Sequence, residues 1–438
     1  MSGWLLRLML AMLVALCWSG EACAAAPARA DTAKSPVRAM SLDLTDMAQP
    51  SDEMDRLEQR MRDVGVTIVA LSAGRLDWTA FRWSDHEERW SAGVRESGRD
   101  LLMEGAQRFG RWAHVSAVVD VFAPRYLQNR PSLRALDAVG RPIPHHASTH
   151  ALVHGPFGDD LILMIAHIAR HYPVDSITLT ELFYYREGYG DDDLALYREY
   201  SGRHDWPRTA NGAIDVDHTT IAAWRSAMVA QFVERAARVA HMHDKQLFVD
   251  VRVGWDSPAS EGRRSGHDYR LLLQHADRLV LWNYIGMSGA RPEYTANIAR
   301  YVQRYGVDRI IISYGLWANR GAVLGAEALQ RAMIAGQEEN LPHAWITPLG
   351  LMQEEHWQVL AAVWRGAAGA QKDLPACLHK FSPKESTQYQ MSACLVLKEH
   401  QKKGLPRRGR ASDRLSRAAR GQAESPRHAK IPAPHLPS

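Results

Sequence analysis

A chain of 438 residues, 46% of them hydrophobic, is long enough to bury one large core or two to three ordinary ones. Its formal charge of +4 is unevenly placed: residues 370–438 hold 14 Lys/Arg against 5 Asp/Glu, leaving 39 against 44 elsewhere, and an acidic body argues against nucleic-acid binding as the main function. Cysteine occurs only as Cys17, Cys23, Cys377 and Cys394, which excludes thiol catalysis and a disulfide scaffold from everything between.

Residues 1–30 combine Arg7, a short apolar run and small residues from Ala24 to Ala30, the pattern of a secretory signal peptide. The mature chain is therefore expected to be periplasmic or secreted, without a transmembrane span. Cys377 and Cys394 become available for pairing after export. Residues 31–366 are predicted to form one barrel domain, as set out below. Residues 367–438, basic and poor in aromatic and β-branched residues, are predicted to be a disordered tail capable of weak contact with an anionic surface.

In chain order, Val37 to Thr45 alternates as a first strand, and Pro50 and Ser51 open a helix with Met54, Leu57, Met61 and Val64 on one face and Gly65 as its stop. Val66 to Ser72 is a second strand. A loop with Trp78 and Trp83 leads to a helix ending near Phe109, and His114 to Phe122 is a third strand. A long proline-rich loop, Ala123 to Gly155, precedes the helix FGDDLILMIAHIARHY and a fourth strand from Asp175. Arg186 to His218 reads as a second long loop, before a helix over Ile221 to His241. Leu247 to Val253 is strand five. Strands six, seven and eight end at Tyr284, Gly315 and Gly350, and a last helix covers Glu354 to Trp364. Eight strands alternating with eight helices predict an α/β fold of the (β/α)8 barrel type with long third and fourth βα loops. An open doubly wound sheet is the alternative, but no glycine-rich phosphate turn follows strand one.

In such a barrel the helix-facing side of each strand is apolar, so the opposite parity faces the lumen. That places Asp43, Asp120, Asp250 and Arg252 inward. Glu181 ends the run DSITLTELFYY at the strand's carboxyl end, where barrels of this type carry their chemistry, although its parity follows Ile177 and Leu179 toward the helices. Paired carboxylates across a cleft are what glycosidic hydrolysis requires, one protonating the leaving oxygen and the other attacking or activating water. The candidates are Glu181 as acid/base with Asp120 or Asp250 as partner. Asp43, Arg252, Asn283 and Tyr284 would position a sugar, with Trp255, Trp282 and Trp317 as stacking platforms. No organic cofactor is implied.

These residues carry a resemblance. VDSITLTELFYY, the acidic DDDLALYREYSG and the helix containing Trp224 and Arg225 resemble the glycosyl-hydrolase-like barrels of bacterial envelope proteins and, more distantly, the hydrolase domains that act on poly-N-acetylglucosamine matrix. The resemblance implies a polysaccharide substrate and a catalytic acidic residue at the end of strand four, where Asp175, Ile177, Leu179 and Glu181 match the frame. Ser176 stands for a glycine and Glu181 for an aspartate.

Two other functions compete. The loop PHHASTHALVH sets His146 and His150 four apart, as two metal ligands on one helical face would be; with His145, His154 and Asp43 it suggests a metal-dependent polysaccharide deacetylase. A barrel that keeps its aromatics without turnover would instead be a carbohydrate-binding module.

Overall fold

The computed structural model describes residues 35–184 and 186–365; the leader, Cys377, Cys394 and the basic segment lie outside the described residues. Eight parallel strands form a closed ring: β1 (Arg38–Leu42), β2 (Ile68–Arg75), β3 (His114–Asp120), β4 (Ser176–Thr180), β5 (Gln246–Arg252), β6 (Arg278–Trp282), β7 (Ile310–Gly315) and β8 (Ala344–Thr347). Each pairs with its neighbours in chain order. Ala39 of β1 closes the ring, lying against Ile68 of β2 on one side and Trp345 of β8 on the other.

An outer-layer helix packs after each strand, with shorter helices in several of the loops: α1 (Ser51–Val64), α2 (Leu101–Phe109), α3 (Pro156–His171), α4 (Thr219–His241), α5 (Tyr269–Leu272), α6 (Tyr294–Val302), α7 (Ala326–Glu338) and α8 (Glu354–Arg365). Their ends follow from local chemistry. Asp52 and Glu53 sit in the first turn of α1, and Gly65 ends it in the left-handed conformation at φ 81°. A side chain at Gly65 would also meet the Arg38 guanidinium. Pro156 starts α3, where a missing N–H costs nothing. The segment Thr149–His171 has the length and hydropathy of a membrane span, but over half of it is buried inside the protein, as in the core helix of a barrel wall.

Strand alternation sorts the side chains into two cores. Ala39, Ile68, Ala70, Phe248, Val280, Ile311 and Trp345 fill the lumen, while Val115, Ala117, Val119, Leu247, Val249 and Val251 pack outward against the helices. Each fully buried aliphatic side chain stabilises this arrangement by about 1.5–3 kcal/mol. Two polar pairs lie in the lumen: Ser116 with Thr178 at 2.7 Å, and Trp345 Nε1 donating to Ser41 Oγ at 2.5 Å.

The two long βα loops carry structure of their own. The β3α3 loop contains a hairpin of Arg134–Leu136 with Pro142–Ala147. The β4α4 loop, read from sequence as irregular, holds a helix over Asp191–Ser201. Its first turn has three aspartates at the positive end of the helix dipole and Gly202 caps its end at φ 69°. Tyr197 of that helix packs on Trp206 and Trp224, so a satellite aromatic core holds the loop to α4.

Candidate active site

The carboxyl ends of β3, β4 and β5 define the site. Asp120 is in register with Thr180, and Leu179 with Val249, so Asp250 lies level with Thr180 on its other side. Asp120 and Asp250 have the parity of the lumen residues Ser116 and Phe248. Two strand spacings put their α-carbons about 10 Å apart along the wall, with both side chains over the lumen. Glu181 leaves the strand between them. Its φ of 59° is left-handed, rare for a residue other than glycine, so the regular alternation of the strand ends at Thr180. Asp120, Glu181, Asp250 and Arg252 are all partly exposed, as groups at a mouth should be.

Several neighbours fix these groups. Asp120 Oδ1 accepts from the Phe122 N–H at 2.9 Å, and its Oδ2 lies 3.8 Å from Arg75 Nη1. Arg75 in turn donates from Nε to Asp77 at 2.6 Å, and both side chains are nearly fully buried. His267, fully buried, accepts the Arg252 N–H on Nδ1 at 2.9 Å and donates from Nε2 to the Leu182 carbonyl at 2.7 Å, tying the end of β5 to the residue after Glu181. Burial, aided by the Arg252 charge, pushes this imidazole down to about 4, so it is neutral at neutral pH.

An aromatic wall lines one side. Phe183, Trp282, Tyr284 and Trp317 contact one another in sequence at centroid distances of 5.7, 5.6 and 5.3 Å, and the Arg252 guanidinium lies 4.0 Å from the Phe183 ring centre. Trp282 and Tyr284 are stacked within 17° of parallel. Trp255 stands apart, 5.7 Å from Tyr294. Trp83 and Trp206 lie in separate aromatic clusters, with Phe81 and with Tyr197 respectively, and serve packing.

Two predicted sugar contacts are engaged in structural bonds. Asn283 is fully buried with the opposite parity to Trp282, and its Nδ2 donates to Thr295 Oγ1 of α6 at 2.8 Å; it braces the barrel wall. Asp43 does not reach Arg252: its Oδ1 accepts from Thr45 N and Asp46 N at 2.7 and 2.9 Å, capping the turn Leu44–Met47. Asp46 returns the bond to Asp43 N at 2.9 Å, and burial together with the Asp43 charge pushes its carboxyl up to about 7.

The histidine-rich loop also departs from its spacing. His145 and His146 lie on the hairpin strand Pro142–Ala147 and His150 in the short helix Thr149–Val153, so the shared helical face does not form. Among the described residues no three His, Cys, Asp or Glu side chains converge as a metal-binding group. Instead His146 Nδ1 meets Glu187 Oε1 at 2.5 Å, a buried pair beside the mouth. Arg75, Asp77, Glu187 and His267 were not singled out from sequence; only the odd charges on apolar segments, such as Arg75 ending β2, gave any local signal.

Fold and mouth together define the class: a closed (β/α)8 barrel with an acidic, aromatic-walled opening, the fold of the glycoside-hydrolase barrels. The glycoside hydrolase domain of PgaB (BpsB) from Bordetella bronchiseptica shares it with a TM-score of 0.58 at 16% identity, over 75% of this chain and 99% of that one. A β-galactosidase from the psychrophilic Marinomonas ef1 matches with a TM-score of 0.54 at 13% identity, over 75% of this chain and 59% of that one. At such identities the likeness is one of fold. No family model and no curated protein sequence matches the chain.

Proposed function

We propose that the chain is an exported glycoside hydrolase that cleaves a polysaccharide with a pair of carboxylates. The observation that carries this reading is the placement of Asp120 and Asp250 level on the lumen face, with Glu181, at a left-handed backbone position, following the strand that lies between them. Glu181 acts as general acid/base: its carboxyl protonates the leaving glycosidic oxygen, and Asp120 or Asp250 serves as nucleophile or activates water. Arg252 and the wall from Phe183 to Trp317 hold the sugar rings. At the partly exposed mouth the carboxylates Asp120, Glu181 and Asp250 stand against the Arg252 guanidinium, a balance that favours an amino-sugar polymer with some free ammonium groups. Residues 1–30 support export to the periplasm or beyond.

The same aromatic wall supports a second reading, a carbohydrate-binding barrel without turnover. Reducing-end release from a panel of bacterial exopolysaccharides, including partly deacetylated poly-N-acetylglucosamine, separates the two. Release by the wild type that Glu181→Gln lowers by about 10²- to 10⁴-fold, with unchanged melting, supports the hydrolase. Retained binding with no release supports the module, and release unaffected by the substitution removes Glu181 from its role.

A further inference from the structure

The helix α5 is the shortest of the outer layer, four residues where α2 has nine and α4 has 23. Beside it the wall is incomplete. A groove of about 460 Å³ lies between α5 and the turn that follows α6, lined by Arg270, Leu273, Gln274, Arg304, Tyr305 and Arg309. Arg309 directly precedes β7, and Leu273 and Gln274 precede β6, so the groove lies at the amino end of the barrel, away from the mouth. Three arginines on one groove repel one another unless an anion offsets them. Among the described residues none of the three has a carboxylate within 4 Å. The acids nearby are engaged elsewhere. Asp277 meets His241 Nε2 at 2.8 Å and the Leu247 N–H at 2.7 Å, Asp308 lies 3.8 Å from His343, and Glu339 pairs with Arg300. Glu261, fully buried, accepts from the Tyr301 and Tyr305 hydroxyls at 2.8 and 2.5 Å.

Part of this charge has a structural task. Arg309 Nη2 donates to the Leu273 and Ala276 carbonyls at 2.6 and 2.7 Å, satisfying the end of α5. Arg304 Nε donates to the Tyr301 carbonyl at 2.8 Å, with its guanidinium 4.0 Å from the Tyr301 ring centre. These contacts fix two guanidinium planes and neutralise neither. They leave Arg309 Nη1 and both Nη atoms of Arg304 without a protein partner among the described residues, where Arg270 makes no hydrogen bond or ion pair at all. Gln274 adds a neutral amide. A carboxylate would bring one negative charge, whereas a phosphate ester brings up to two and three acceptor oxygens that guanidinium forks match. The groove is far larger than a bare phosphate ion, and Leu273 and Tyr305 give it an apolar side, so it fits a phosphate with an organic group attached. We propose that this groove binds an organic phosphate ester, with Arg304 and Arg309 as fixed donors and Arg270 as a third from the rim. Two sources share that chemistry: the glycerol-phosphate headgroup of an anionic phospholipid, and a soluble phosphate ester. The inference goes beyond the proposed reaction and does not depend on it, since groove and mouth are at opposite ends of the barrel.

The test titrates the full chain with glycerol 1-phosphate and with inorganic phosphate by calorimetry, and measures co-sedimentation with phosphatidylglycerol and phosphatidylcholine vesicles. Wild type is compared with the groove variant Arg270→Gln/Arg304→Gln and with Arg56→Gln/Arg238→Gln, after thermal melting has shown each to be folded. The last pair removes the same charge from exposed helix positions, where the arginines pair with Asp52 and Glu234. It reports what general attraction contributes, including that of the basic residues 370–438. A loss of about tenfold in glycerol phosphate affinity in the groove variant alone is the result expected for a soluble ester. The same selective loss on phosphatidylglycerol vesicles, without one on the soluble ester, identifies the lipid headgroup. If the double variant does not fold, Arg270→Gln carries the test, since its side chain has no bond to lose, with an expected loss of about threefold. No selective loss with either probe overturns the proposal, whether because nothing binds or because both double variants lose affinity equally. Inorganic phosphate bound as tightly as the ester would overturn it too.

Discussion

His267 is the most exacting place to test how the mouth is held. Its imidazole satisfies two buried backbone groups at once, the Arg252 N–H and the Leu182 carbonyl. His267→Ala strands both, at about 1–3 kcal/mol each, so a loss of about 2–6 kcal/mol is expected at neutral pH, a large part of the stability of an ordinary domain. The histidine also makes a distinctive contribution to acid sensitivity. Burial holds it at about 4 in the folded chain against an ordinary 6.5 when unfolded. Between those values the unfolded chain binds the additional proton, so the stability due to His267 is full above about 6.5 and is lost as the pH falls toward 4. The difference corresponds to about 3 kcal/mol. Asp46 and Asp193, raised to about 7, act with the opposite sign, which is why a variant must isolate the histidine. His267→Gln can accept and donate at nearly the same positions but does not titrate. Urea unfolding followed by tryptophan fluorescence should show wild type and variant alike near neutral pH, with the variant losing about 3 kcal/mol less on acidification. Equal pH slopes for the two proteins would refute the reasoning.

Two further outcomes follow from the same geometry. Arg75→Met leaves Asp77 and Asp120 without their cation in a nearly closed environment and should cost about 3–5 kcal/mol; chemical unfolding reads it, and a loss below about 1 kcal/mol would show that water already serves those carboxylates. Trp282→Ala should weaken oligosaccharide binding by about 1 kcal/mol or more through lost stacking, while Trp83→Ala should lower stability and leave affinity unchanged; calorimetric titration with unfolding controls separates the two.

Much of this architecture was legible in the chain because it is written locally. The alternation of Val115, Ala117 and Val119 against Ser116 and Asp120, and of Leu247, Val249 and Val251 against Asp250 and Arg252, needs only a period of two and an apolar helix layer, and it assigned the lumen side of three charged residues correctly. Helix ends at Gly65 and Gly202 are equally local, since only the left-handed backbone is at stake. The same rule missed the helix at Asp191–Ser201, whose apolar stripe is narrow and aromatic and is completed by Trp206 and Trp224 from elsewhere in the chain. Nor does parity predict Glu181, because a left-handed residue at a strand exit resets the direction of its side chain. His146 with Glu187, His267 with Leu182 and Asn283 with Thr295 depend on partners 41, 85 and 12 residues away, and no periodicity within a strand or helix encodes which loop will fold over it. The sequence by itself determined a barrel and the face of each strand that looks inward, because those follow from the pleat and from burial. Tertiary structure alone decided which charges at the mouth are neutral, clamped or aimed at one another, because burial and hydrogen-bond partners set protonation, and both are supplied by distant segments of the chain.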